Sequence, residues 1–179
     1  MMLLDNRDFA GTLWVMELSL PAAAADIALN LRRVLDEPST LSARQAMGVA
    51  LASAYAARSR ELSALIAARI EDAALIEDAR IAAVLMAQNN VYFRFRHLVA
   101  KPSYQALHSR LAMSKRSQVA NKPDYELFAL AVSALHGCES CVRHHEQAAL
   151  ALGLSEPQVN DAIRIASVIH AAAVALELG

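Results

Sequence analysis

Apolar residues recur at helical intervals along almost the whole chain, and nowhere do they alternate with the period of two that marks a half-buried strand. The first such stretch, Leu13 to Leu35, reads as one or two helices, with Pro21 marking a turn or a helix start near its middle. Pro38-Ser39-Thr40 closes it, and Ser42 stands where it would cap a helix from Ala43 to about Arg58. Leu62 to Ile70 and Ala79 to Phe95 continue the helical period, while Pro102 and Pro123 punctuate the middle and Met113 to Lys122 is polar enough for a loop. An apolar helix then runs from Asp124 to Leu135 and meets His136-Gly137, where glycine can form the turn that ends it. The next helix begins near Cys138 and stops at Gly153. Ser155-Glu156-Pro157 opens a last one, with proline tolerated in its first turn. The pattern predicts an all-α protein.

Composition agrees with that pattern. Hydrophobic residues make up 56% of the chain but aromatics only 5%, so the core must form by close packing of alanine- and leucine-rich helices. At 179 residues the chain is expected to form a single domain over 1–179, with two halves sharing one core. A weak internal repeat supports two halves: at an offset of 84 residues, Arg80-Ile81-Ala82-Ala83-Val84-Leu85 falls on Arg164-Ile165-Ala166-Ser167-Val168-Ile169. That shift puts Ala54, Ala57 and Glu61 opposite Cys138, Cys141 and His145. The half from about 1 to 100 would then be scaffold, and the half from about 120 to 179 would carry the chemistry.

Charge narrows the function mainly by exclusion. A net charge of −1 without blocks of like sign gives no reason to expect nucleic acid as a partner. No uninterrupted apolar run reaches the roughly 18–20 residues of a membrane span, since Arg164 and His170 interrupt even the last helix. The opening Met1-Met2-Leu3-Leu4-Asp5-Asn6-Arg7-Asp8 is too polar for a signal-peptide core, so a cytoplasmic location is expected. Thiols stay reduced in that compartment, and a C-x-x-C pair there is more often catalytic or metal-binding than a staple.

The chain has two cysteines, and they form such a pair, Cys138-Glu139-Ser140-Cys141, with His145 one turn further on. At about 100° per residue, Cys141 lies about −60° and His145 about −20° from Cys138, so the three share one helix face. His144 and Glu139 should point elsewhere. Gly137 leaves Cys138 at the start of the helix, where free amides favour a thiolate. Glu126, twelve residues before Cys138 in an apolar helix, is the candidate carboxylate; burial should raise its pKa and let it exchange protons with His145. Three readings fit these residues: a dithiol–disulfide couple, a zinc site built from Cys138, Cys141, His145 and Glu126, and two small core cysteines. Asn89-Asn90-Val91-Tyr92-Phe93-Arg94 also stands out, because paired asparagines inside a helix imply a helix end or a hydrogen-bonding spot between helices.

The stretch from Glu126 to Glu146 resembles the signature of the AhpD-like alkyl hydroperoxidases of the carboxymuconolactone decarboxylase-like superfamily: a glutamate, twelve residues to a cysteine, three to a second and four to a histidine. Ser42 to Arg60 and Met86 to Arg94 are similar to the same type, so the resemblance covers most of the chain from about Asp26. It implies an all-helical fold of two related halves and a homo-oligomer, usually a trimer. It also implies that Cys141 attacks the peroxide, Cys138 resolves the product to a disulfide, and Glu126 with His145 relays protons. The implied substrate is an organic hydroperoxide, and no bound cofactor or metal is expected. A dihydrolipoamide-type donor or lipoyl protein would re-reduce the disulfide, and a peroxiredoxin-type protein would be a further partner. Some members carry a histidine just before the second cysteine, where this chain has Ser140; a serine cannot act as a base at neutral pH, which predicts slower peroxide turnover. The rival activity within the superfamily is a decarboxylase-type lyase, which has no use for a vicinal cysteine pair.

Overall fold

The computed structural model describes residues 18–36 and 40–178. Everything described is helix, turn or irregular chain, without a strand. After a single 3-10 turn at Ala22–Ala24, which Pro21 precedes, come α1 (Ala25–Asp36), α2 (Ala43–Ala56), α3 (Arg60–Ala67) and the long α4 (Ala73–Val99). A short α5 (Pro102–Gln105) and a 3-10 turn at Ser114–Gln118 lead into α6 (Lys122–Leu135), α7 (Glu139–Ala151) and α8 (Glu156–Leu178). The part of the first predicted helix before Leu18 and the Pro38-Ser39 break lie outside the described residues.

Local chemistry accounts for the boundaries. Ser42 accepts from the Gln45 amide while the Gln45 side chain accepts from the Ser42 amide, a complete capping box for α2. Asp72 caps α4, which therefore starts six residues earlier than the apolar pattern from Ala79 indicates. Pro102 and Pro123 sit in the first turns of α5 and α6, where a missing amide costs nothing, so they open helices and do not interrupt them.

The centre of the molecule is the contact between α2 and α6. Val49, Ala50, Leu51, Ala52 and Ala54 face Leu127, Phe128, Ala129, Ala131 and Val132, all at or near zero exposure. Gly48 makes the approach possible: a methyl group there would overlap the Phe128 ring and lie 2.8 Å from Leu75. Helices α4 and α8 cover this pair, and α8 also packs on α1. Helix α8 is long and apolar enough to cross a membrane by length and composition. Ala162, Ile165, Ala166, Ile169, Ala172 and Ala173 are buried inside the bundle, as in the core helix of a globular protein.

Helices α2–α3–α4 and α6–α7–α8 follow the same course, and the structure corrects the repeat offset. The caps Ser42 and Asn121, and the corners after α2 and α6, correspond at a shift of 79 residues (Asn121 against Ser42), not 84. Each corner has a residue in the left-handed region, Arg58 at φ 59° and Gly137 at φ 64°, followed by an amide bonded back to the helix: Ser59 to the Ala54 carbonyl, Cys138 to that of Ser133, both at 3.1 Å. The starts of α4 and α8 are 83 residues apart, close to the 84 of the sequence, because α3 is shorter than α7. At the corrected register Met47, Ser59, Leu62 and Ile66 stand opposite Glu126, Cys138, Cys141 and His145.

Candidate redox site

The corner at Gly137 turns α6 back on α7 as an antiparallel pair. Cys138 is the N-cap of α7 rather than its first-turn residue, and Cys141 sits in that first turn. The two sulfurs are joined as a disulfide. Cys138 is wholly buried, whereas Cys141 lines a cavity of about 360 Å³. Access therefore favours Cys141, whereas the start of the helix singles out Cys138.

His145, one turn beyond Cys141, is buried between α7, α6 and α4. Its Nδ1 lies 2.6 Å from Glu126 Oε2, and its Nε2 lies 3.1 Å from Met86 Sδ on the cavity wall. An ionised carboxylate only accepts hydrogen bonds, so Nδ1 donates to Glu126, and Nε2 faces the cavity wall at Met86 Sδ. The other Glu126 oxygen accepts from Arg116 Nη2 at 2.9 Å. Burial alone would push the Glu126 carboxyl up, but the hydrogen bonds from His145 and Arg116 outweigh it and hold the pKa below its usual value. This reverses the raised pKa that the apolar sequence around Glu126 suggests.

Arg116 escaped the sequence reading because it lies in a polar segment before α6, where nothing in the local pattern marks its target. Only the presence of a carboxylate inside an apolar helix hinted that some cation must meet it. Met86, Asn89 and Phe93 reach the cavity from α4, and Met113 from the irregular segment; Asn89 Nδ2 donates to Met113 Sδ at 3.4 Å. Ser140 also lines the cavity, its Oγ 3.7 Å from Cys138 Sγ. His144 was expected to point away, yet its ring packs edge-on against His145 and lines the same cavity. Burial, with the neighbouring His145 and Arg116 charges, lowers its pKa. Glu139 does point away, toward His97 and Arg143.

The paired asparagines prove to be a contact between helices. Asn90 Oδ1 accepts from Ser133 Oγ at 3.1 Å and its Nδ2 meets His136 Nδ1 at 3.1 Å, tying α4 to the end of α6. Among the described residues no cluster of His, Cys, Asp and Glu is arranged to hold a metal. The four residues of the zinc reading are instead engaged in pairs, sulfur with sulfur and imidazole with carboxylate.

Residues 102–178 match the model of the carboxymuconolactone decarboxylase family. Over 164 residues the chain is 57% identical to an alkyl hydroperoxide reductase AhpD of Anaeromyxobacter dehalogenans (strain 2CP-1), covering 89% of this chain and 88% of that protein. An alkyl hydroperoxide reductase AhpD of Anaeromyxobacter sp. (strain Fw109-5) is 50% identical over 165 residues, 90% of this chain and 89% of the relative. One from Coxiella burnetii (strain Dugway 5J108-111) is 42% identical over 157 residues, 84% and 89% of the two chains.

Proposed function

The chain belongs to the AhpD-type alkyl hydroperoxide reductases of the carboxymuconolactone decarboxylase family, and from that premise we propose that it reduces organic hydroperoxides through a thiol–disulfide cycle of Cys138 and Cys141. The observation that carries this reading is a single one: Cys141 opens on a cavity whose wall also presents the Nε2 of a histidine held by a buried carboxylate.

In the reduced protein His145 Nε2 takes the Cys141 thiol proton, and Glu126 stabilises the imidazolium that results. The thiolate attacks the distal peroxide oxygen, the O–O bond breaks, and the leaving alkoxide takes the proton back from His145 as the alcohol. Cys141 is then a sulfenic acid. Cys138 attacks its sulfur, forming the disulfide and releasing water. Two electrons from an external dithiol restore the pair; a dihydrolipoamide-type donor, free or on a lipoyl protein, suits a disulfide reached through a narrow cavity. No resident metal or cofactor enters these steps. A peroxiredoxin-type protein is a second acceptor for the same electrons.

The cavity wall of Met86, Met113 and Phe93 supports an alkyl or aryl hydroperoxide over hydrogen peroxide. Ser140 leaves the position before Cys141 without a base, while His144 brings a neutral imidazole to the same space. Exposed Leu98 and Leu107 at the end of α4 and beyond α5 supply apolar surface for a trimer. A cytoplasmic location fits a pair that must be re-reduced after every turnover.

Cysteine variants test the division of labour. Cys141→Ser should abolish peroxide consumption. Cys138→Ser should consume one equivalent and stop as a sulfenic acid that dimedone traps. Full activity in Cys141→Ser would overturn the assignment.

A further inference from the structure

A second cavity, of about 640 Å³, lies on the other side of α4 and takes no part in the redox chemistry. Its residues on α4, from Arg80 through Ala83, Val84, Ala87 and Val91 to Arg94, form one helical stripe, about a third of a turn round the helix from Met86, Asn89 and Phe93. The asparagine pair divides between the two, Asn89 to the redox cavity and Asn90 to this one.

Three arginines, Arg58, Arg80 and Arg94, line this cavity and no carboxylate does; Arg80 Nε donates to Tyr55 Oη at 3.3 Å, and Glu77 lies 3.8 Å from its Nη1. Tyr55 and His136 supply further polar atoms. Between the charges the surface is apolar, with Val84 69% and Val91 62% exposed, which is unusual for valines on a helix of this bundle. Arg58 is moreover held at φ 59°, where an L side chain is disfavoured and where the matching corner of the second half has glycine. A planar cation matches carboxylate and phosphate oxygens in a forked geometry, and an exposed apolar strip between such cations matches a hydrocarbon tail.

We propose that the cavity formed by Arg58, Arg80, Arg94, Val84 and Val91 binds a small anionic amphiphile, a carboxylate or phosphate monoester carrying a short alkyl chain. Its volume lies within the range of small-molecule sites. The headgroup bridges Arg58 and Arg80 at the mouth, and the tail covers the two valines. Arg94 connects this site to the redox corner, because its Nη1 donates to the His136 carbonyl at 2.5 Å, two residues before Cys138. An anion that draws on Arg94 is therefore felt at the backbone that positions the cysteine pair. The site does not depend on the peroxidase reading, and binding is measured without turnover.

Calorimetric titration of the full-length protein with octanoate and with octyl phosphate tests the proposal, with octan-1-ol and inorganic phosphate as controls. Saturable binding of either amphiphile, together with shifts of the Val84 and Val91 methyl resonances, is the expected result; the tighter of the two identifies the headgroup. Arg58→Gly, which suits the backbone at that corner, and Arg80→Gln should each weaken binding by about fivefold or more. The proposal is overturned if neither amphiphile saturates, if octan-1-ol or inorganic phosphate binds as tightly, or if both variants bind like the parent. It is equally overturned if the methyl shifts follow protein concentration instead of ligand, which would assign the surface to a second copy of the chain.

Discussion

At the scale of single residues, Arg116 helps set the state of the Glu126 carboxyl. With it in place, Glu126 stays ionised and accepts the Nδ1 hydrogen bond of His145. Without it, burial acts on the carboxyl with one opposing partner fewer, and the pKa rises. The stability linkage follows the same sign: a carboxyl depressed in the folded state stabilises above its unfolded pKa and loses that contribution as pH falls through the folded value. Arg116→Leu should therefore move both the acid limb of the activity profile and the acid unfolding midpoint to higher pH, and Arg116→Lys should restore most of each. Superimposable pH profiles for the parent and Arg116→Leu would remove Arg116 from the relay. The cysteines, His145 and Glu126 were legible from spacing because they sit on two consecutive helices joined by a tight corner. Arg116 and Met86 were not, since they come from an irregular segment and a distant helix that only tertiary packing brings near.

Among the elements, the contact of α2 with α6 sets the position of everything else. Gly48 is required there for space, since any side chain would enter the Phe128 ring and Leu75. Gly48→Ala should cost about 1–3 kcal/mol, read as a lower thermal midpoint, because the displaced ring lies on the helix that carries Glu126. A midpoint equal to the parent's would mean the two helices separate easily. The apolar period placed most of the helices correctly. It missed the beginnings of α4 and α6, which Asp72 and Pro123 set without a trace in hydrophobicity.

For the whole molecule, two related halves hold each other by an exchange of buried carboxylates. Asp78 on α4 accepts from the amides of Ala120 and Asn121, just before α6, at 2.9 and 3.0 Å. Asp161 on α8 does the corresponding service for Thr40, just before α2, accepting from its amide and hydroxyl at 2.9 and 2.8 Å. Asp78→Ala strands two amides and should cost about 1–3 kcal/mol in denaturant unfolding; an unchanged midpoint would show the exchange to be incidental. The sequence repeat at 84 differs from the 79-residue spacing of the caps and corners, because the shorter α3 shifts the spacing of the helices that follow. In the correct register the redox residues replace the first half's Met47, Ser59, Leu62 and Ile66, of which Leu62 and Ile66 are fully buried core.

Counting free thiols tests the central claim most directly. The reduced protein is treated with one equivalent of cumene hydroperoxide, and thiols, cumyl alcohol and metal content are measured on the same sample. The account predicts that both thiols disappear, one equivalent of alcohol forms, and a dithiol such as dihydrolipoamide restores the two thiols. Two thiols that persist in the presence of the peroxide, with or without bound zinc, would contradict it.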